Sequence, residues 1–497
     1  MDTKHGVTVD AAGHHPSSSD KTDGPPLKCN KHGIVLVPQP SDDPEDPLNW
    51  SFAKKHAAMF VLALESLLVK FSATLIAPGA HSLAAQFHTA ASKATYIGSA
   101  PSILYAIAPF FWIPLSHRVG RRPVLLASQV IALVAAIGVA RSESYAQALG
   151  CRMVMGFGGS AGLCIGPAAI SDMFFLHEKG SRMGVNSILL VVAPYVGGVA
   201  GGAIQQNPAL GWRWSMYVSA ITYAVQLTAQ FCLVPETIYE RGGHRRQPQS
   251  VARRFGFRTP TNPTAESWLQ TFRRPYAMFV YPAVVVPSFW VSTAVMTEVA
   301  NTAGFTLNFG VTSRFHFTTA QVGYCFLSGL IGAFSGELLA GPLCDLLVKR
   351  ALKKEHGWRP ETLLVLNVTG LVAIVGGLLV YGIQLQGSAP GDWASPLAGM
   401  ILFVFGQEII VTVVMTYMTD CYPDQAAEVA IVFQFFFNLM CFHPPFYTPG
   451  WIASAGARTP YIVYAVIPLA LFPLLMGPFI WKGEQIRSKG PLFRLSK

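Results

Sequence analysis

Twelve apolar runs, each about twenty residues or longer, recur along this chain, and no other feature limits its fold as severely. A helix rises 1.5 Å per residue, so about 20 apolar residues cross the hydrocarbon core of a bilayer. The runs lie near 57–79, 95–116, 123–141, 147–171, 181–204 and 214–234, then near 276–303, 318–344, 361–383, 396–419, 427–452 and 459–481. Composition agrees: 51% of the 497 residues are hydrophobic and 12% are charged, against roughly 25% charged in an ordinary soluble domain. The spacing predicts an all-α membrane protein of two six-helix bundles, 54–234 and 276–481. A disordered tail, 1–53, a basic linker, 235–275, and a short tail, 482–497, are expected to face the cytoplasm.

Charge placement orients these spans. Of 36 Lys and Arg residues, the loops assigned outside hold Lys93, Arg141, Arg213, Arg314 and Arg458, and the spans hold Lys70 and Arg152. All others fall on the side of the N-terminus, which the positive-inside rule reads as cytoplasmic. The net charge of +10 is therefore a topology signal, and no nucleic-acid partner is expected. The eight cysteines form no C-x-x-C pair and no Cys/His cluster, and the chain contains no Gly-Lys dipeptide. Neither a zinc site nor a P-loop is supported, and no cofactor or metal is expected.

The charges inside the spans are the informative ones. Glu65 and Lys70 lie in span 1, Arg152 in span 4, Glu298 in span 7, Glu337 in span 8 and Glu408 in span 10, with Gln407 beside it. Six such groups facing lipid would cost about 15–20 kcal/mol, so most must face a polar interior. Five of them fall on spans 1, 4, 7 and 10, the first helices of four three-helix repeats, which surround a central cavity in transporters of that build. Other readings stand beside this one. Arg152 and Lys70 are near enough to span ends to snorkel, and Glu298 and Glu408 also fit neutral, hydrogen-bonded structural acids. Glu337 fits the packing of span 8, and His443, before Pro444 and Pro445, fits a helix break. Gly158-Gly159-Ser160-Ala161-Gly162 matches the G-x-S-x-G elbow of hydrolases, but it lies within a span, where Gly and Ser serve close helix approach. No enzyme is expected. Phe289 and Trp290 in span 7 and Phe403 and Phe405 in span 10 are candidates for an aromatic cavity wall or for packing.

With the spans in place, residues 42–481 resemble the major facilitator superfamily, and within it the fungal twelve-span drug:proton antiporters. Asp46-Pro47-Leu48-Asn49-Trp50 is similar to the D-P-x-N-W signature before span 1 of that group. Leu115-Ser116-His117-Arg118-Val119-Gly120-Arg121-Arg122 resembles the gating motif G-x-L-a-D-r-x-G-r-k, with Ile113 where Gly is usual and His117 where Asp is usual. Gly341-Pro342-Leu343-Cys344-Asp345 stands at the equivalent place after span 8. Arg152, Gly156 and Gly158 match the span-4 motif l-x-x-x-R-x-x-q-G-x-g, with Met155 replacing the glutamine. Ala193-Pro194-Tyr195-Val196-Gly197-Gly198 resembles the antiporter motif G-P-x-x-G-G, and Gly211-Trp212-Arg213-Trp214 and Pro235-Glu236-Thr237 fit the same group.

The resemblance implies proton-coupled export of a small hydrophobic organic compound by a monomer, in the plasma membrane or, as the alternative, the vacuolar membrane. Arg152 with Glu65 is the expected proton-coupling pair. Lys70, Phe289, Trp290, Glu298, Phe405, Gln407 and Glu408 are the expected cavity residues. His117, Arg118, Gly120, Arg121, Arg122, Gly341 and Asp345 are expected to gate, and Pro194, Gly197 and Gly198 to hinge. A nutrient-importing proton symporter and a non-transporting sensor are the alternatives.

Overall fold

The computed structural model describes residues 28–29, 35–239, 268–352, 359–387, 389, 391–422 and 425–487. Most of the expected linker, 240–267, and the C-terminal tail from 488 lie outside the described residues. Among those described, ten helices are long and apolar enough to cross a membrane, or eleven when the bent pair Ala91–Ile107 and Pro109–Val119 counts as one span. Gly211–Leu233 supplies the twelfth rod. Its 23 residues suffice in length, but Gln226 and Gln230 are buried on its inner face. It packs against spans 1, 3 and 5.

Local chemistry sets the ends. Ser51 caps span 1, and Ser144 with Gln147 forms a capping box at span 4, each satisfying backbone donors that the first turn leaves open. Proline breaks several spans at mid-course, because it has no N–H and disfavours helix in the residue before it. Span 2 bends by 51° between Ile107 and Pro109. Span 11 divides into Ala426–Phe442 and Pro444–Ala455, with His443 at the break. Gly120, at φ 114°, ends span 2 in a conformation that side chains avoid.

Within the first half, span 1 packs on spans 4, 5 and 6; within the second, span 7 packs on 10 and 11, and span 9 on 10 and 12. Spans 5 and 8 and spans 2 and 11 join the halves. The two glycine faces of span 5 serve different neighbours. Gly197 and Gly201 meet the backbone of span 1 at Phe71 and Leu75, while Gly198 and Gly202 meet Phe326 and Gly323 of span 8. A Cβ on Gly202 would come 2.7 Å from Gly323 Cα, so the contact between the halves admits no side chain there.

The N-terminal segment departs from the expectation of disorder. Asp46 is fully buried, caps Leu48 N–H and accepts from Ser41 N–H and Oγ, each at 3.0 Å. Asn49 Nδ2 donates to the Ser41 and Asp43 carbonyls at 2.8 Å, and Lys55 Nζ donates to the Leu48 carbonyl at 2.9 Å. The D-P-x-N-W stretch is thus a folded plug. Trp50 completes it by packing in the apolar cluster of Phe174 and Val234.

Candidate functional site: a chamber between the halves

A cavity of about 190 Å³ lies between the halves, walled by spans 1, 2, 5, 7, 10 and 11. Lys70, Glu298, Gln407, Glu408 and Pro194 line it, as do residues not singled out from the sequence: Tyr105, Phe433, Gln434 and Phe437. Glu298 is the node of its polar network. Its carboxylate accepts from Tyr195 Oη of span 5 at 2.7 Å and from Gln407 Nε2 of span 10. One acid of the second half is thereby tied to a helix of the first. Lys70 sits opposite, donating to Asn438 Oδ1 at 3.4 Å, with its ammonium 5.0 Å from the Tyr105 ring centre and 5.9 Å from that of Phe437. Charge–charge interaction links Lys70 with Glu298, and Glu408 with both Glu298 and Glu337.

Contacts between the halves flank this chamber on two sides. Near the expected outer face, Thr306 Oγ1 donates to the Ala77 carbonyl at 2.9 Å and Tyr96 Oη to the Phe446 carbonyl at 3.0 Å. Toward the other face, Phe110 of span 2 packs on Phe279 and Phe435, at 5.9 and 5.8 Å between ring centres.

Several expected residues lie elsewhere, each for a readable reason. Arg152 is 1% exposed and makes no ion pair with Glu65. Glu65 abuts Gly162, where a Cβ would come 2.7 Å from its Cγ. Gly162 is ten residues beyond Arg152, about 15 Å along the same helix. Arg152 instead donates to the carbonyls of Ser72 at 3.1 Å, Ala73 at 2.9 Å and Ile97 at 3.2 Å. All three are short of backbone partners. Ser72 and Ala73 belong to the last turn of Phe52–Thr74, whose carbonyls lack an i+4 donor. Ile97 stands four residues before Pro101, which has no N–H to offer. Arg152 therefore caps two interrupted helices, a role distinct from snorkelling. Glu65 is 2% exposed beside Gln129 and Gln230, inside the first bundle.

The expected aromatic wall is replaced. Trp290 is fully buried, donates to the Pro468 carbonyl at 3.1 Å and packs on Phe472 of span 12. Phe289 packs on Phe436, and Phe405 packs against the buried cluster of Ala340, Cys344, Leu363, Ile409 and Val413. None of the three lines the chamber. Glu337 accepts from Thr412 Oγ1 at 3.1 Å, between spans 8 and 10. Ser160 Oγ donates to the Phe157 carbonyl at 2.7 Å, one turn back in its own helix.

The gating motif forms a knot within the first half. Arg121 is ion-paired to Asp172, at the end of span 4, at 2.6 Å, and Thr237 Oγ1 donates to the same carboxylate. Glu236 accepts from the backbone N–H of Arg121 and Arg122, both at 3.1 Å. Burial raises the Glu236 carboxyl above its ordinary pKa, against the opposing pull of those N–H groups and of Ile238 N–H. Arg122 also donates to the Phe231 carbonyl, and Arg118 stacks over Trp268, 5.5 Å from the ring centre. Gly341 has open space about it. In the second half the corresponding tie is Glu361 with Arg487, at 3.6 Å.

Sequence reasoning missed Tyr195, Asn438 and Asp172. Tyr195 and Asn438 are neutral, and Asp172 stands at the end of span 4, where a charge costs little and gives no signal. Asn438, a lone amide in the apolar run FQFFFNLM, carried a visible signal by the same burial-cost argument.

Comparison with known proteins agrees with this architecture. The family model for the Major Facilitator Superfamily matches residues 62–443, more than half of the chain. A cycloheximide resistance protein of Candida maltosa is 26% identical over 399 residues, covering 78% of this chain and 71% of the relative. The MFS-type transporter penM of Penicillium rubens is 27% identical, covering 92% and 89%. Among solved structures, the xylose transporter XylE of E. coli, in a partially occluded inward-open conformation, superposes with a TM-score of 0.61 at 15% identity, covering 86% and 98%. The chain belongs to the Major Facilitator Superfamily, and is a multi-pass membrane transporter rather than an enzyme.

Proposed function

We propose that this transporter exports a small, largely apolar organic compound from a fungal cell by proton-coupled alternating access, acting as a monomer in the plasma membrane with both termini in the cytoplasm. The observation that carries the coupling is the Glu298 node. A carboxylate accepting from both Tyr195 and Gln407 loses acceptor capacity when a proton binds one of its oxygens. Protonation then weakens the tie between span 5 and span 7, and with it the contact between the halves. The coupling role belongs to Glu298, with Lys70 and Glu408 as its charged neighbours, rather than to the expected pair Arg152 and Glu65, because that pair is apart and the other three groups share a chamber.

The outward direction is supported by the names of the relatives. Besides the cycloheximide resistance protein, they include the efflux pump radE of Floropilus chiversii, 26% identical over 459 residues, and a trichosetin biosynthesis cluster transporter of Gibberella fujikuroi, 26% identical over 415 residues. Export of a product made by the cell, or of a toxin met outside, follows the same route. The hinge role rests on span 5, where Pro194 frees a backbone carbonyl and the glycines let span 5 lie on spans 1 and 8. The Arg118–Trp268 contact, which joins the knot around Arg121 to the helix Trp268–Ala277 leading into the second half, is the element that opening toward the cytoplasm would strain.

One proton crossing about 100 mV releases about 2.3 kcal/mol, enough for roughly a fiftyfold gradient of a neutral substrate. The test is efflux from vesicles holding the purified protein, with and without an imposed pH gradient. Efflux should fall when the gradient is collapsed; efflux that continues unchanged removes proton coupling. Net accumulation on the cytoplasmic side would identify an importer, and absence of any flux a sensor.

A further inference from the structure

Lys70 is a cation whose neighbours leave it unsatisfied. An ammonium has three protons to donate and no acceptor. Among the described residues Lys70 donates one, to Asn438 Oδ1, at the long distance of 3.4 Å, and no carboxylate lies within ion-pairing distance. Its two rings, Tyr105 on span 2 and Phe437 on span 11, offer π faces but no counter-charge. The acids of the chamber act on Lys70 only from a distance, Glu298 among them, and none pairs with it directly. Glu298 is committed to Tyr195 and Gln407, and Glu408, which lines the same cavity, forms no ion pair with Lys70. A half-buried ammonium in the membrane interior with no ion-pair partner among the described residues gains from an anion brought against it.

The surroundings describe what fits. Ser102 is one turn from Tyr105 on the same wall, and its hydroxyl makes no hydrogen bond among the described residues. It is a second donor lining the same chamber as the ammonium. Phe433 and Phe437 face the same chamber, with Val191 and Leu83. This arrangement matches a molecule with one small acidic group and a flat or bulky apolar body.

We propose that Lys70, set between Tyr105 and Phe437, is the recognition point for an acidic group, and that the transported compounds are amphiphilic organic acids: a carboxylate or acidic enol on an apolar body. This rests on the export reading and narrows its substrate class. The acid enters the slot with its oxygens toward Lys70 and Ser102, while its body lies along Phe433 and Phe437. Neutral and cationic compounds of equal size gain nothing from the ammonium.

Matched pairs decide it. Full-length protein in lipid nanodiscs is titrated with naphthaleneacetic acid and with its primary amide, and binding is followed by calorimetry and by thermal stabilisation. The acid should bind at least about tenfold tighter than the amide. Lys70→Met should abolish that preference by bringing acid affinity down to that of the amide, and Lys70→Arg should keep part of it. Equal binding of acid and amide to the wild type overturns the acid preference and leaves export standing, and this comparison needs no variant to fold. A preference that persists in Lys70→Met removes Lys70 from recognition. Binding of neither member overturns both the acid inference and the apolar-compound reading on which it rests.

Discussion

Arg152 and Lys70 are both cations inside the membrane-spanning part of the first half, and the fold treats them in opposite ways. Arg152 is 1% exposed, and its guanidinium is spent on three carbonyls from two neighbouring spans. Lys70 faces a cavity with a single long hydrogen bond among the described residues. Burial cost alone does not separate them, since both charges are expensive in lipid. What separates them is the supply of orphaned acceptors. Where a helix ends and a proline interrupts its neighbour, a planar five-donor guanidinium is the fitting cap. Where no acceptors are left over, the charge remains available to a ligand. An intramembrane charge is thus a structural or a functional group according to its partners.

The largest effect that would test this contrast is on folding. Arg152→Met should cost about 3–5 kcal/mol, because it strands buried carbonyls as well as removing charge-assisted bonds; fluorescence-detected melting in detergent reads it. A melting temperature equal to wild type would show that the cap is dispensable. Next in size, Glu298→Gln should reduce gradient-driven efflux by at least about tenfold, while gradient-independent exchange is retained. Vesicle flux measured with and without the pH step separates these, and a variant that keeps its gradient response would place coupling elsewhere.

Smaller effects sharpen the comparison further. Arg152→Lys should recover about half of the lost stability, since one ammonium cannot span carbonyls on two helices as a guanidinium fork does. Full recovery in the same melting assay would mean that charge matters and geometry does not. Lys70→Met should shift stability by less than about 1 kcal/mol, in either direction, because it exchanges a poorly paired charge for a side chain of similar volume. A loss as large as that of Arg152→Met would erase the distinction between the two sites.

The span pattern, the repeat and the family motifs were legible because each depends on local hydropathy or a short string of residues. Even so, the composition of Gly211–Leu233 falls short of a clear membrane span, and only packing on spans 1, 3 and 5 assigns it. Four of the seven expected cavity residues, Lys70, Glu298, Gln407 and Glu408, do line the chamber. The expected aromatics do not. An aromatic residue is at home against lipid, in a helix interface or on a cavity wall, so residue type does not distinguish among the three environments. Trp290 illustrates this: its ring nitrogen found the Pro468 carbonyl of another span. The polar composition of the tail 1–53 predicts disorder, but in its described part Asp46 and Asn49, with Lys55 of span 1, spend their polarity on neighbouring backbone groups.

Sequence alone determined that this chain crosses a membrane many times, that it repeats itself in two halves, and that it carries charges which lipid does not tolerate. Those are properties of single residues and of their spacing along a helix, and they hold whatever the helices touch. Tertiary structure decided which charge meets which partner. Arg152 and Glu65 lie on neighbouring helices, but Glu65 meets span 4 at Gly162, about 15 Å along the helix from Arg152, whereas Glu298, Tyr195 and Gln407 converge from three spans. Distances between helices are set by ridges, glycines and proline bends acting together, and no one-dimensional pattern contains them.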